Sequence, residues 1–490
     1  RLYEIVEQAR KNDGKRGYGK TEGNIKHQIE AITADLYATW SSDTELYIGY
    51  SRDERAFESE GAYGDKLSYT AFIDIIAVFE QHKPRLIENH IQSKGFGGKP
   101  SSRMRATQAL ADIVEGEGVN WASIVFDPSA EVLVLKSKKD KKTKTTTVLS
   151  FNDADHNQIP NMRANIEVIN QKLARTFLNL NVTDDEMTEI NRKVRQDPEN
   201  EAVDFTKRHL RRVFNNGNWN DGGRFYGGWW IGLPSKKYDY RQHIEIEGKL
   251  TDEWDYSSIH PTILYAQEGE PAPEDSYDIP GWDKKYRDLI KKAFNQLLNS
   301  AKATRPKGKW RTLAPDTDPD PLPSGWKELE TYERVPFQRD EFKRLTNKDY
   351  DDLIRDIIEH HQPIQHHFFT KAWSWLQKMD ADIAERVMVD MFDRDMVVLP
   401  VHDSFIVRRG FEGYLKGAMK RVFQEVVGVE PKMKSDAQVL RRKKLKEIGG
   451  NGIISGRAAM EISMVSREPY RNHGLRRQQW QQVWGLEGWD

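Results

Sequence analysis

Two acidic residues stand in settings that suit metal chemistry. Asp255 lies within Glu253-Trp254-Asp255-Tyr256-Ser257-Ser258-Ile259-His260-Pro261. A strand-like run, Ile244–Ile246, and a turn at Gly248 come before it, and the apolar run Ile263-Leu264-Tyr265-Ala266 follows. Asp255 is therefore expected near the end of a strand, just ahead of a helix. A carboxylate there is exposed and fixed in direction, as a metal ligand must be. Asp403 lies within Val397-Val398-Leu399-Pro400-Val401-His402-Asp403-Ser404-Phe405-Ile406-Val407. Apolar runs flank His402-Asp403, which predicts a hairpin with Asp403 at its tight end. Two carboxylates on adjacent strands can hold a pair of Mg²⁺ ions roughly 3.5–4 Å apart. Mg²⁺ suits that site because it takes carboxylates together with phosphate oxygens, and Mn²⁺ accepts the same ligands. Taken singly, each Asp reads more readily as a cap or turn residue.

The segment between them adds weight. Arg287, Lys291, Asn295 and Asn299 recur every fourth residue and so share one helical face. Two cations on one face can grip a triphosphate, one as a fork and one as a point charge. By itself this stripe reads as an ordinary solvated helix face.

The elements that must position these residues follow from pattern. The run Leu67–Ile91, with Phe72, Ile73, Ile75, Ile76, Val78 and Phe79, predicts a buried helix, with Pro84 either breaking it or beginning the next one. A second helix is expected over Ser102–Val114, capped by Ser101 or Ser102. Strand-like runs at Glu131–Leu135 and Thr145–Phe151 flank a basic tip that includes Lys138, Lys139, Lys141 and Lys142. Helices followed by such a hairpin suggest a winged-helix-like module whose lysines lie against phosphates. A merely solvated loop fits them as well. Residues 161–215 carry a helical pattern around Ile166, Ile169, Leu173 and Phe177, followed by a basic patch at Lys207, Arg208, Arg211 and Arg212.

Four regions result: a helical and winged-helix-like part (1–160), a helical, thumb-like segment (161–220), a mixed core (221–440) with a Pro-rich insertion near 303–335, and a basic C-terminal tail (441–490). Basic and acidic residues balance, 75 against 76, so the mean charge singles out no polyanionic partner. The absence of cysteine excludes disulfides and thiolate metal sites. No apolar run approaches the roughly 20 residues of a membrane helix. Arg1–Arg10 show no signal-peptide pattern. A soluble protein of the cytoplasm, in a bacterial or phage-infected cell, is expected, without a membrane partner.

Five of these elements, in order, resemble those of family A DNA polymerases. Asp255-Tyr256-Ser257-x-Ile259 resembles their motif A, Val401-His402-Asp403 their motif C, and Arg287-x3-Lys291 their fingers-helix motif B. Gly223-Arg224 resembles the Gly-Arg that touches the primer–template minor groove, and Gln377-x4-Asp382-Ile383 another template-contacting element. The resemblance covers residues 205–435. It implies an α+β fold, a right-hand palm of antiparallel sheet with helical fingers. It implies catalytic and metal-ligating roles for Asp255 and Asp403, and triphosphate binding by Arg287 and Lys291. Tyr256 and His260 would line the sugar pocket, with Asn295 near the incoming nucleotide. Arg224, Gln377 and His402 would face the DNA template and primer.

The sequence departs from the pattern at four places. His260 stands where the family usually has Glu. Motif C ends Asp403-Ser404, as in single-subunit phage-type RNA polymerases. Asn295 and Asn299 replace stacking residues of motif B. These bear on sugar selection and base stacking, and they leave an RNA polymerase or primase, or a DNA-binding protein with an inactive core, as alternatives. Asp43-Thr44-Glu45 precedes an apolar run rather than ending one, so no proofreading exonuclease is expected. The dipeptides His360-His361 and His366-His367 read as a helix surface in preference to a zinc site.

Overall fold

The computed structural model describes residues 1–14, 22–57, 67–91, 102–143, 145–194, 202–233, 240–300, 343, 347–435 and 471–485. The Pro-rich insertion near 303–335 lies outside them.

The N-terminal unit comprises helices α1 (Leu2–Asn12) and α2 (Glu22–Ser42), strand β1 (Ile48–Tyr50), helix α3 (Tyr69–Gln81), strands β2 (Ile87–His90) and β3 (Ser102–Ala106), and helix α4 (Gln108–Gly116). Its sheet is antiparallel, in the order β1-β3-β2. Phe72, Ile75, Ile76 and Phe79 of α3 pack with Ile29 and Ile32 of α2 and Ile87 of β2 in a separate core. The helix expected over 102–114 is a strand followed by a helix. Ser102, Met104 and Ala106 alternate inward on the period of two, and the helical period begins only after Thr107.

The chain continues through β4 (Leu133–Lys136), β5 (Val148–Leu149), α5 (Ile159–Ala174), β6 (Leu178–Leu180), α6 (Asp184–Val194), β7 (Arg211–Asn215) and β8 (Asn218–Tyr226). The basic hairpin β4–β5 forms as expected, but it is no wing of the N-terminal unit. It extends a second sheet, ordered β5-β4-β7-β8, in which β4 and β7 run parallel. The segment expected to be wholly helical is broken by β6, whose three residues are all buried. The expected basic patch is split, because Arg211 is exposed and Lys207 half-buried while Arg208 and Arg212 are both buried. Arg212 donates to Gly223 O at 2.7 Å and to Asp382 Oδ1 at 2.8 Å, and pairs with Glu385.

The remaining elements are β9 (Ile244–Ile246), β10 (Lys249–Tyr256), α7 (Ile259–Gln267), α8 (Arg287–Asn299), α9 (Tyr350–His360), α10 (Trp373–Asp393), β11 (Val398–Val401), β12 (Ser404–Arg408), α11 (Glu412–Val427), β13 (Met433–Lys434) and α12 (Arg471–Trp484). A third, antiparallel sheet runs β11-β12-β10-β9-β6, with β13 joined to the end of β10. The turn at Glu247-Gly248, both at positive φ, closes the β9–β10 hairpin as the sequence indicates. Helix α10 packs against β8 of the second sheet and β11 of the third, joining them. The fold is thus mixed α+β, with two antiparallel sheets and one that includes a parallel pair. The C-terminal stretch does not end as a simple basic tail, since α12 is docked and its Trp480 is fully buried.

Candidate active site

Strand β10 carries Asp255 to one end of the third sheet. Asp255 lies opposite Ser404 in the register with β12, and Tyr256 N donates to Asp403 O at 3.2 Å. The two carboxylates therefore belong to adjacent strand ends. The hairpin between β11 and β12 has only His402 and Asp403 as turn residues. His402 adopts φ +58°, a left-handed conformation uncommon outside glycine. That turn sets Asp403 beside Asp255. Ser404 donates to Glu253 Oε1 at 2.5 Å, and Arg241 donates to the same atom at 3.0 Å, which anchors the start of β12 to β10.

Burial and the neighbouring Asp403 push the Asp255 carboxyl well above the usual carboxylate range. Lys434 Nζ, 3.8 Å from Asp255 Oδ2, and Lys291 offset only part of this. A carboxylate in that position gains from a cation beside it. The donor set, two carboxylates at an open cleft, thus fits a hard divalent cation.

The cleft above them has a volume of about 250 Å³. Helix α8 forms its far wall. Leu289, Ile290, Ala293, Phe294, Leu297 and Leu298 bury one face of α8, which turns Arg287, Lys291 and Asn295 toward the cleft. Arg287 is held bidentately by Asp275, Nε to Oδ2 at 2.5 Å and a terminal nitrogen to Oδ1 at 3.0 Å. Burial alone would raise Asp275, but the Arg287 bonds hold it below its ordinary value. The Arg287 guanidinium and Lys291 ammonium lie 5.3 and 5.8 Å from the ring centre of buried Tyr277. Asn299, one turn beyond Asn295, is exposed and does not line the cleft.

The floor is a cluster of three residues held together by an ion pair and a histidine contact. Asp380 of α10 has a fully buried side chain. It accepts from Arg224 at 3.2 and 2.5 Å and pairs with His260 Nε2 at 2.9 Å. Burial would raise its carboxyl, but the bonds to His260 and Arg224 outweigh that and lower it. Arg224 reaches this place through a bulge. The register of β7 with β8 shifts around Phe214, opposite Gly222 and Gly223. Gly223 has φ +78°, and a Cβ there would stand 2.9 Å from Phe214 and 3.0 Å from Arg212.

Arg224, Asp255, His260, Arg287, Lys291, Asn295 and Asp403 thus meet at one cleft. Tyr256 is also among the residues that line the cleft, although its ring packs away from it. Strand alternation turns it to the opposite face, where its hydroxyl donates to Met419 O at 2.7 Å among Phe405 and Phe423. Gln377 is buried on α10 and lines no part of the cleft. His402 stands next to Asp403, its ring against Tyr226, with burial and then Arg224 pushing its pKa down. Lys138, Lys139, Lys141 and Lys142 are exposed at the β4–β5 tip. Asp140 closes that tip by accepting from the Lys142 and Thr143 backbone at 2.8 and 2.7 Å.

Sequence reasoning missed Tyr277, Trp373, Asp380 and Lys434 at the cleft or its floor. Tyr277 falls in an acidic, Pro-rich stretch that reads as loop. Lys434 arrives through the short pairing of β13 with β10, which leaves no periodic trace. Asp380 lies between Gln377 and Asp382, at a position that the motif resemblance does not mark.

No protein-family model matches the chain, and no curated protein sequence does. Among solved structures, the chain is similar to the POL domain of Pol1 from M. smegmatis, determined in complex with DNA primer-template and dNTP. The TM-score is 0.24 and the identity 13%, over 67% of this chain and 62% of that one. No helix among the described residues is long and apolar enough to cross a membrane.

Proposed function

We propose that this chain is a template-directed nucleotidyltransferase, a DNA polymerase of phage or mobile-element type without proofreading. Asp255 and Asp403 would hold two Mg²⁺ ions. The observation that carries this reading is one cleft with two adjacent carboxylates on one side and a cationic helix face on the other. The reaction is attack of a primer 3′-hydroxyl on the α-phosphate of a nucleoside triphosphate, with pyrophosphate leaving. The bound ions would lower the pKa of the attacking hydroxyl and offset charge on the leaving oxygen.

The chain's own residues bind and orient. Lys291, with an exposed ammonium, meets the triphosphate as a point charge, and Arg287, steadied by Asp275, supplies a preoriented fork. Lys434 balances charge around Asp255. His260 and Arg224, both fixed by Asp380, form a rigid floor under the sugar and the primer terminus. Fixed dipoles and charges of this kind need little reorganisation as the reaction proceeds. The exposed lysines of the β4–β5 tip offer a further contact to template phosphates.

A second reading keeps the chemistry and changes the sugar. His260 in place of an acidic residue, itself bonded to Asp380, favours asking whether ribonucleotides are used. The test is extension of a labelled primer on a DNA template with Mg²⁺, supplying dNTPs or NTPs in parallel. Template-directed growth is expected, abolished by Asp403→Asn while template binding persists. Growth with NTPs alone would make the chain an RNA polymerase or primase. Template binding without growth in any mixture would make it a DNA-binding protein with an inactive core.

A further inference from the structure

A second place in the molecule has the composition of a transition-metal site. Glu268 caps the C-terminal end of α7. His366 and His367 end a 3₁₀ turn, Gln362–His367, that precedes α10. The Nε2 atoms of both histidines lie 3.1 Å from the same oxygen, Glu268 Oε1. The two imidazole rings have centroids 4.1 Å apart, so both turn toward one point. The three donor atoms fall within 4.8 Å of one another. Ligand atoms at ~2.0–2.1 Å from a tetrahedral zinc ion stand ~3.3 Å apart, close to the spacing seen here.

The sequence alone suggests a helix surface for these histidines. The structure alters two premises of that reading. The segment is the end of a 3₁₀ turn rather than an α-helix, its two rings stand side by side there, and a carboxylate 99 residues before His367 supplies a third donor.

We propose that Glu268, His366 and His367 form a binding site for a borderline-soft divalent cation of the zinc class. This assignment does not rest on the polymerase reading. Two imidazole nitrogens disfavour Mg²⁺ and Ca²⁺, which take oxygen donors, and favour Zn²⁺ and its neighbours in the first transition row. His366 is more than half exposed, so the remaining coordination position opens to water. The bound ion would tie the end of α7 to the entry of α10. Those helices carry His260 and Asp380 respectively, so the clip joins the two elements under the cleft. Closing a chain segment of that length removes loop entropy from the unfolded state.

The test is a titration of the untagged full chain with Co²⁺, reading visible d–d absorption, followed by displacement with Zn²⁺. The expected result is a band that saturates at one equivalent and disappears in His366→Ala and in His367→Ala. It should persist in Asp403→Asn, and Glu268→Gln, which weakens a direct ligand, should cost at least the roughly tenfold in affinity that loss of even an outer carboxylate costs in known sites. Zn²⁺ should raise the thermal midpoint of the wild type and leave that of the histidine variants unmoved. Absence of the band would overturn the site, as would a band that survives both histidine changes or vanishes with Asp403→Asn. Neither of those outcomes bears on primer extension, which tests the cleft separately.

Discussion

Asp380 concentrates more consequence than any other single residue at the cleft. Its carboxylate is fully enclosed, and it pairs with Arg224 while fixing His260. A buried charge costs several kcal/mol to desolvate, and that cost is offset only while each partner keeps its geometry. Asp380→Asn preserves volume but leaves Arg224, a largely enclosed cation at the cleft floor, without this counter-ion. The expected loss is about 3–5 kcal/mol of unfolding free energy, read as a lower urea midpoint. A change below about 1 kcal/mol would mean that Arg224 finds water or another acceptor. The sequence brings Arg224 and His260 to notice through motif spacing. Their common partner, 156 residues beyond Arg224, has no local signature, because ion pairing across the fold leaves no period in the chain. Tyr256 shows the converse. Its place beside Asp255 suggests the cleft, and only the strand alternation decides that its ring faces the core.

At the scale of elements, what is periodic or punctuated is legible in the sequence. The β9–β10 and β11–β12 hairpins and the two-faced helix α8 follow from alternation, turn residues and a fourfold repeat. Arg208 and Arg212 are not legible in this way, because a basic run looks the same whether solvent or buried acceptors satisfy it. The β4–β5 hairpin follows from its strand-like runs, but its sheet does not, since the parallel pairing of β4 with β7 sets Leu133 beside Arg212 and Leu135 beside Phe214 across the intervening chain. That pairing changes the meaning of the lysine tip. It projects from the sheet that also carries Arg224, so it belongs to the same body as the cleft. Hence a prediction: replacing Lys138, Lys139, Lys141 and Lys142 by Ala lowers DNA affinity. The slope of log affinity against log salt should fall by about 0.9 for every phosphate that the variant no longer neutralises. Filter binding or anisotropy across a salt series measures it. An unchanged slope returns the tip to a solvated turn. Stability should hardly move, because all four side chains are exposed.

At the scale of the whole molecule, the chain's last described helix seals the core that the middle of the chain begins. Trp480 of α12 packs against Trp121 and Phe177, and its ring lies 4.7 Å from the buried Arg208 guanidinium. Trp121 stands on another side of that guanidinium at 5.2 Å, and burial brings the Arg208 pKa down to about 10. Arg208 donates to Phe205 O at 3.0 Å and Ile124 O at 3.3 Å, and Arg476 of α12 lies 4.2 Å from the Phe205 ring. Asn179 of β6 accepts from Arg476 at 3.0 Å, which ties α12 to the edge of the sheet that bears Asp255. Composition makes residues 441–490 look like a basic tail, since the helix has little apolar periodicity. Its hold comes from aromatic–guanidinium packing, which a hydrophobic pattern does not register. Trp480→Ala should therefore cost about 3–5 kcal/mol as a core truncation, with up to about 2 kcal/mol of that from the missing cation–π interaction. Trp480→Phe keeps a ring over Arg208 and should recover part of the loss. Unfolding followed by tryptophan fluorescence and by circular dichroism measures both variants. If Trp480→Ala unfolds in one transition shifted as a whole, α12 is part of the cooperative unit that supports the cleft. If only a minor early phase moves, α12 is an appendage, and the edge strand β6 holds the sheet without it.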